Sequence, residues 1–450
     1  MRRCLLVLPI VVAAVTTVTA RQTSPAAAPR TSQDAASESA ITLAEIERMA
    51  LERNPTLQSA TARVTAARAR TDQAGAWPNP IAGFSAEEVG GRDGDPRGEF
   101  GFFVEQPIPL GGKLRRSQAV MQRAMDRADA DLALQRARVL SSVRRAFYEV
   151  ATTERRIEVQ ERLGSLVSEA VGITAQLYNV GAADRPDLLE AEVEARRIQL
   201  DLTATKNGLF AARQRLAAVV GDSQIAGRPL AVAPDQTAPE IERDAALRQL
   251  LDDSPQLRAA RADLARTQAV TAAARRETFP DLFLRGGAAY NRELGERSAT
   301  ALGWEGRLEA GVSLPLFNRN VAGVAAARAD EQRAQAELQR LDLWLRAQFA
   351  GEYAAYLTAM READTYRTEI LPRQEEAYRL YLAKYRTMGA AYPQVLGAQR
   401  RLLDLSSEYL KRVESAWQAA VQLQGLLAGE GLQSPGSEGD ASARGPRQRG

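Results

Sequence analysis

The 450-residue chain contains no histidine and one cysteine, Cys4. Without imidazole, His-based acid–base catalysis, His-containing zinc or haem sites and histidine pH switches near neutrality are excluded. Cys4 lies in a segment that reads as a secretory signal, so the mature chain also lacks thiolate nucleophiles, cysteine-ligated metals and disulfides. Net charge is scarce as well, with 59 Lys+Arg against 56 Asp+Glu leaving +3. The pI near 9.0 is therefore no nucleic-acid footprint. The arginines alternate with Glu and Asp along helical stretches, the pattern of solvated helix faces, and no nucleic-acid partner is expected. Gly-rich phosphate loops, nucleophile elbows and metal-ligand clusters are missing too, so neither an enzyme nor a bound cofactor or metal is expected.

Residues 1–20 join a short basic start to an apolar run from Leu5 to Val15, with small residues at Val18 and Ala20. This is the pattern of a signal peptide cut after Ala20. The apolar run is too short to span a bilayer. Cys4 precedes it, whereas a lipoprotein cysteine would follow it, so no lipidation is expected. Residues 21–40 and 433–450 are polar and without periodicity, and read as disordered. The mature chain has no apolar run of about 18 residues or more, so no transmembrane helix is expected.

The rest divides at a proline-bearing linker, residues 221–240, into two similar parts, 41–220 and 241–432. ALERNPTLQSATARV from Ala50 returns as QLLDDSPQLRAARADL from Gln249, QPIPL from Gln106 as VSLPL from Val312, and YNVGAADRPDLLEAE from Tyr178 as YRTMGAAYPQVLGAQ from Tyr385. A seven-residue apolar register accompanies the last pair. Leu188, Ala191, Ala195, Ile198, Leu202, Thr205, Leu209, Ala212, Leu216 and Val219 keep 3,4 spacing. Val395, Ala398, Leu402, Leu405, Tyr409, Arg412, Ala416, Ala419, Leu423 and Leu426 repeat it at constant offset. Such a seam packs two helices with left-handed supercoiling.

Each part has the same predicted order of elements. A helix from about Pro55 to Ala76 is stopped by Trp77-Pro78-Asn79-Pro80, because proline lacks an amide and disfavours helix in the preceding residue. Two strands follow, then a helix over Lys113–Val180 of roughly 100 Å at 1.5 Å per residue. At VGAADRPD the chain reverses, with Gly181 suited to a left-handed cap, Asp184 to an N-cap and Pro186 to the first helical turn. Asp187–Val220 returns as the second arm of the hairpin. Pro372 is expected to kink the long helix of the second part, near the position that Gly164 holds in the first.

The strand candidates are IAGFSAEEV from Ile81, EFGFFVEQPI from Glu99, LFLRGGAAYN from Leu282 and WEGRLEAGVSL from Trp304. Phe100, Phe102 and Val104 fall opposite Glu99, Gly101, Phe103 and Glu105. Trp304, Leu308 and Val312 fall opposite Glu305, Arg307 and Glu309, which would line a polar lumen. Alternation alone fits both transmembrane strands and two hairpins on a soluble domain. Four strands cannot close a barrel, and an open edge cannot sit in lipid, so strands in a membrane demand oligomerisation. Pro80, Pro109, Pro280 and Pro315 mark the helix–strand junctions, with Gly111 and Gly112 adding freedom at one of them.

These residues resemble the TolC-like outer-membrane factors, over nearly the whole span from Ile41 to Leu432. YNVG with Asp187 is similar to the family's periplasmic hairpin tip, and EQPIPLGGKLRR and LPLFNRNVAG to junction motifs of its CzcC-like heavy-metal branch. The resemblance implies a mainly α fold with a small β part. Coiled-coil helical hairpins would form an α-barrel, and four transmembrane strands per protomer a 12-stranded barrel in a homotrimer. It implies an outer-membrane location reaching into the periplasm, contact with outer-membrane lipid, and service as the passive exit duct of a tripartite efflux system for heavy-metal cations. A periplasmic adaptor (membrane fusion) protein would contact Val180, Gly181, Ala182, Ala183, Met388, Gly389 and Ala390, and an inner-membrane RND pump would supply energy. Asp187, joined by Glu190, would form the periplasmic constriction. From the residues alone, Asp184, Asp187 and Glu190 fit helix capping as well as a cation-attracting ring. Other readings are a drug-efflux or type I secretion channel, and a soluble periplasmic coiled-coil protein.

Overall fold

The computed structural model describes residues 40–87, 98–231, 238–294 and 301–425. The signal segment, Glu88, Pro234, Leu426 and the tail lie outside them.

The element order is carried twice. In the first part, α1 (Leu43–Arg53) and α2 (Pro55–Gly75) precede β1 (Ile81–Glu87) and β2 (Glu99–Ile108), then α3 (Lys113–Asn179) and α4 (Arg185–Val220). A short 3-10 turn, Ser223–Gly227, follows. In the second part, α5 (Arg243–Asp253) and α6 (Pro255–Ala274) precede β3 (Asp281–Leu294) and β4 (Ala301–Ser313), then α7 (Val321–Thr365), α8 (Leu371–Arg386) and α9 (Tyr392–Gln424).

Local chemistry starts each helix. Thr42 and Glu45 make a reciprocal capping box at α1. Asn54 caps α2 by accepting from the Thr56 amide at 2.9 Å, with Pro55 in the first turn. Ser254 and Pro255 do the same for α6. Asn54 is fully buried because its amide also donates to the Val219 carbonyl at 2.6 Å, tying α2 to the end of α4.

The 67-residue α3 is continuous through Gly164. Its counterpart is not, and the expected break at Pro372 takes the form of a π turn over Tyr366–Ile370. Proline has no N–H to return to the preceding turn, and the Leu371 amide instead reaches five residues back to the Tyr366 carbonyl. α7, the π turn and α8 therefore act as one interrupted arm.

The apolar seam lies inside. Every described position of both registers is buried or half-buried, including Thr205 and Arg412. One core holds Val139, Val143, Phe147 and Val150 of α3 against Leu216 and Val220 of α4 and Ile46 of α1. The second part repeats it with Leu345, Phe349 and Tyr356 of α7 against Trp417, Ala420 and Leu423 of α9. Tyr148 stacks on Trp417 with ring centroids 3.8 Å apart and joins the two cores. A third core mixes both hairpins near their tips and contains Leu163, Ala170, Ala191, Tyr378, Leu382, Tyr392 and Val395.

The four strands form one antiparallel sheet in the order β1-β2-β3-β4, so β1 and β4 are open edges. Pro107 lies within β2 but past the start of β1, where that side of the strand has no partner. No described helix is long and apolar enough to cross a membrane.

Candidate functional site

The chemistry-bearing residues gather at three levels: the hairpin tips, the sheet, and the junctions between sheet and helices. No group of His, Cys, Asp and Glu suited to hold a metal occurs among the described residues.

At the first tip the chain turns at Val180, Gly181, Ala182 and Ala183. Gly181 takes φ +75°, as expected. In the second tip the left-handed position falls on Met388, with φ +60°, rather than on Gly389. A left-handed non-glycine residue costs roughly 1–2 kcal/mol. Met388→Gly is therefore expected to be neutral or to stabilise the second tip, and Gly181→Ala to destabilise the first by about 1 kcal/mol, as measured by amide exchange at each tip. Val180 and Met388 are the most exposed large apolar side chains of the two turns, at 74% and 71%. Both tips lie at the same end of the molecule, because α3 and α8 pack side by side up to them.

That packing is polar as well as apolar. Tyr378 donates to the Leu166 carbonyl at 3.3 Å, Tyr385 to Thr174 Oγ1 at 3.4 Å, and Arg386 pairs with Glu169. Burial pushes the Tyr378 phenol up to about 12, helped by the charge of Glu169, and raises Tyr385 and Tyr392 by the same cause. Deeper in, Glu194 is 2% exposed and bonds Arg400 at 3.1 Å, with Arg197 at 3.8 Å. None of these pairs was anticipated from the sequence. The available signal was the seven-residue spacing of Tyr378, Tyr385 and Tyr392.

Asp184 occupies the N-cap of α4, but its side chain makes no capping bond, contrary to expectation. Asp187, three residues on, lies near the Asp184 amide, which favours its charged form. Burial is the first cause that lifts the Asp187 carboxyl above its ordinary range, the Asp184 and Glu190 charges add to it, and the amide partly opposes them. Glu190 is exposed one turn further. A raised carboxyl favours the neutral form in the fold. The start of α4 should therefore gain stability as pH falls through the Asp187 pKa, and lose that gain as pH rises again. Asp187→Asn is expected to flatten this dependence, read by amide exchange at α4 across mildly acidic pH.

The sheet register separates two faces. Phe84 pairs with Phe102, Ala288 and Gly306 across the strands, and Phe100 with Tyr290 and Trp304. This apolar face is open, with Phe102, Trp304 and Leu308 exposed. The opposite face carries Glu305, Arg307 and Glu309 as expected, and the register gives each a partner on another strand. Glu309 meets Arg285 at 3.4 Å, Arg307 meets Glu87 at 3.0 Å and also Glu99, and Asn291 donates to Glu305 at 3.5 Å. Arg285 also bonds Glu105 at 2.6 Å and lies over the Phe103 ring. Phe103 and Phe283 fold across the pleat onto Gly83 and Gly311, where a Cβ would collide with the rings. Two aromatic rings are thereby accommodated on the charged face.

At the junctions, Pro80, Pro109, Pro280 and Pro315 stand just outside the strand ends, and Gly111 and Gly112 both take positive φ before α3. Gly111 sits under Phe279, where a side chain would clash. Lys113 bonds Asp281 at 2.8 Å and pins the start of α3 to the start of β3.

A model of the outer membrane efflux protein family matches residues 47–222 and again 246–429. The chain belongs to that family. It is a channel protein and not an enzyme, and the two matches fall one on each copy of the helix–strand–hairpin order. The cobalt-zinc-cadmium resistance protein CzcC of Cupriavidus metallidurans is 27% identical over 327 residues, covering 71% of this chain and 75% of CzcC. The nickel-cobalt-cadmium resistance protein NccC of Alcaligenes xylosoxydans xylosoxydans is 26% identical, covering 64% of each. Among solved structures, CusC, described in terms of folding and transmembrane channel formation, superposes with a TM-score of 0.74 at 18% identity over 86% of this chain and 92% of its own. The fold is thus that of outer-membrane efflux channels: helical hairpins joined to a small antiparallel sheet.

Proposed function

We propose that this outer membrane efflux protein works as a homotrimer whose three sheets close one 12-stranded barrel through the outer membrane. The two-faced sheet with open edges at β1 and β4 carries the reading. Its exposed apolar face suits lipid and its charged face suits water, and its unpaired edges are tolerated in lipid only when another copy pairs with them. Because the edges differ, β4 of one copy joins β1 of the next, a head-to-tail contact that closes as a ring. Leu189, Val193, Leu200 and Phe210 support this as an exposed stripe on α4, the face opposite the buried seam and free for a neighbouring helix.

The trimer is a passive exit duct for heavy-metal cations, driven by an inner-membrane RND pump and opened by a periplasmic adaptor. The adaptor engages Val180–Ala183 and Met388–Ala390, Asp187 and Glu190 supply a threefold acidic constriction, and Glu305, Arg307 and Glu309 line the lumen. Cation cargo is supported by the resemblance to CzcC and NccC. It is also supported by the charged sheet face, where Glu87, Glu99, Glu105, Glu305 and Glu309 outnumber Arg285 and Arg307. The signal segment 1–20 directs export, and the two copies span 41–220 and 241–432.

Detergent-extracted protein should run as a trimer and conduct in planar bilayers with cations preferred over anions. A mature protein that stays soluble without detergent and does not conduct would return the coiled-coil alternative. Conductance with no loss of zinc, cobalt or cadmium tolerance on deletion, but with drug sensitivity or a secretion defect, would transfer the channel to the other cargo classes.

A further inference from the structure

The level where sheet gives way to helices has a charge and an exposed apolar surface that the duct does not use. Three chain segments, 109–116, 275–281 and 314–320, meet there. The Leu110 amide donates to Asp281 Oδ1 at 3.2 Å, and Asn320 Nδ2 to the Ala274 carbonyl at 2.9 Å. These segments hold Lys113 and five arginines, Arg115, Arg116, Arg275, Arg276 and Arg319, against only Glu277 and Asp281. Both carboxylates are already engaged by Lys113, at 3.9 and 2.8 Å. None of the five arginines has an ion pair among the described residues. Along the helices, by contrast, many arginines are held by a carboxylate three or four residues away, as in Arg123–Asp126 and Arg346–Asp342. Beside this excess of positive charge, Leu314, Leu316 and Phe317 stand open to solvent on a segment that is neither helix nor strand, Phe317 with its full surface exposed at 101%.

We propose that this junction binds anionic phospholipid at the inner edge of the membrane, with the headgroup phosphate on the arginines and the acyl region over Leu314, Leu316 and Phe317. Guanidinium groups bind phosphate through paired N–H donors, and an exposed leucine–phenylalanine wedge beside them suits the boundary between headgroup and acyl chain. In a head-to-tail ring the copy beside the end of β4 presents the approach to β1, residues 73–81, which hold no acidic side chain to meet these arginines, so charge favours lipid as the occupant. The site deepens the membrane reading of the sheet and rests on it.

The test uses the full mature chain in nanodiscs of phosphatidylcholine alone or mixed with phosphatidylglycerol, followed by counting of co-purified lipid. Wild-type protein should enrich phosphatidylglycerol by roughly fivefold for each arginine engaged. The triple variant Arg115→Gln, Arg116→Gln, Arg319→Gln should lose most of that enrichment while keeping its trimer and circular dichroism. Leu316→Ser with Phe317→Ser should weaken retention of both lipids. Equal retention of the two lipids by wild-type protein would overturn the proposal, as would full competition by inorganic phosphate, which marks an anion site without lipid contact. Dissociation of the trimer by the Leu316/Phe317 variant with lipid retention intact would assign the wedge to a neighbouring copy. Protein that enters neither nanodisc and stays soluble sinks the membrane reading itself, a result separable from loss of lipid selectivity.

Discussion

Leu308→Arg is expected to abolish assembly of the channel in the outer membrane, while Arg307→Gln, one residue away, leaves assembly intact. Leu308 is 80% exposed near the middle of β4 and pairs with Gly286 and, through it, with Val104 on the apolar face. An arginine at the bilayer midplane of a barrel strand costs about 2–4 kcal/mol, and a ring of three identical chains incurs that cost three times. Arg307 points the other way, into the cluster with Glu87 and Glu99. Its loss leaves the lipid face unchanged, adds to the acidic excess, and should raise cation preference. Trimer recovered from outer-membrane fractions measures the first effect and the reversal potential in planar bilayers the second. Normal membrane assembly of Leu308→Arg would refute the assignment of the two faces.

The second large effect is expected where the two hairpins are bolted together below the tips. Arg400→Ala leaves the 2%-exposed Glu194 with only Arg197, at 3.8 Å, as a counter-charge. Removing one partner of a buried pair costs about 3–5 kcal/mol because the remaining charge is stranded. Arg400 is half-exposed and Arg197 remains, so the lower end, about 3 kcal/mol, is expected. Amide exchange should accelerate in α4 and α9 near these residues and stay unchanged in the core around Phe147. Glu194→Gln combined with Arg400→Ala should recover much of the loss, since no charge is then left buried. If the double variant is as unstable as the single, lost packing rather than stranded charge is the cause. The same contact joins the first and second hairpins, so the single variant is also expected to leak ions in bilayers without an adaptor.

Much of this was legible in the residues. Pro55 and Pro255, the 3,4 seams and the paired tip motifs mark two copies of one hairpin unit, because a coiled seam demands apolar side chains at a period the chain cannot hide. The alternation in β2 and β4 sorted Phe102 from Phe103 and Leu308 from Arg307, because side chains alternate strictly along a strand. Pro372 announced an interruption, but its form as a π turn depended on which carbonyl the Leu371 amide could reach. At the first tip the sequence marked Gly181 for the left-handed turn, and Gly181 takes φ +75°. At the second tip the position matching Gly181 in the paired motif is Met388, which takes the left-handed conformation without being glycine. Asp184 does hold the N-cap position of α4, but its side chain makes no capping bond.

By itself, then, the sequence determined the periods: two helical hairpins, four two-faced strands, the proline boundaries, and the exclusion of histidine chemistry. Periodicity is a local property, set by 3.6-residue and two-residue repeats within a single element. Only the tertiary structure decided the partners. Arg285 between Glu105 and Glu309, Glu194 under Arg400, and Tyr385 on Thr174 all join residues far apart in the chain. Their pairing follows from strand register and from how one hairpin leans on the other, and neither is encoded at any single position.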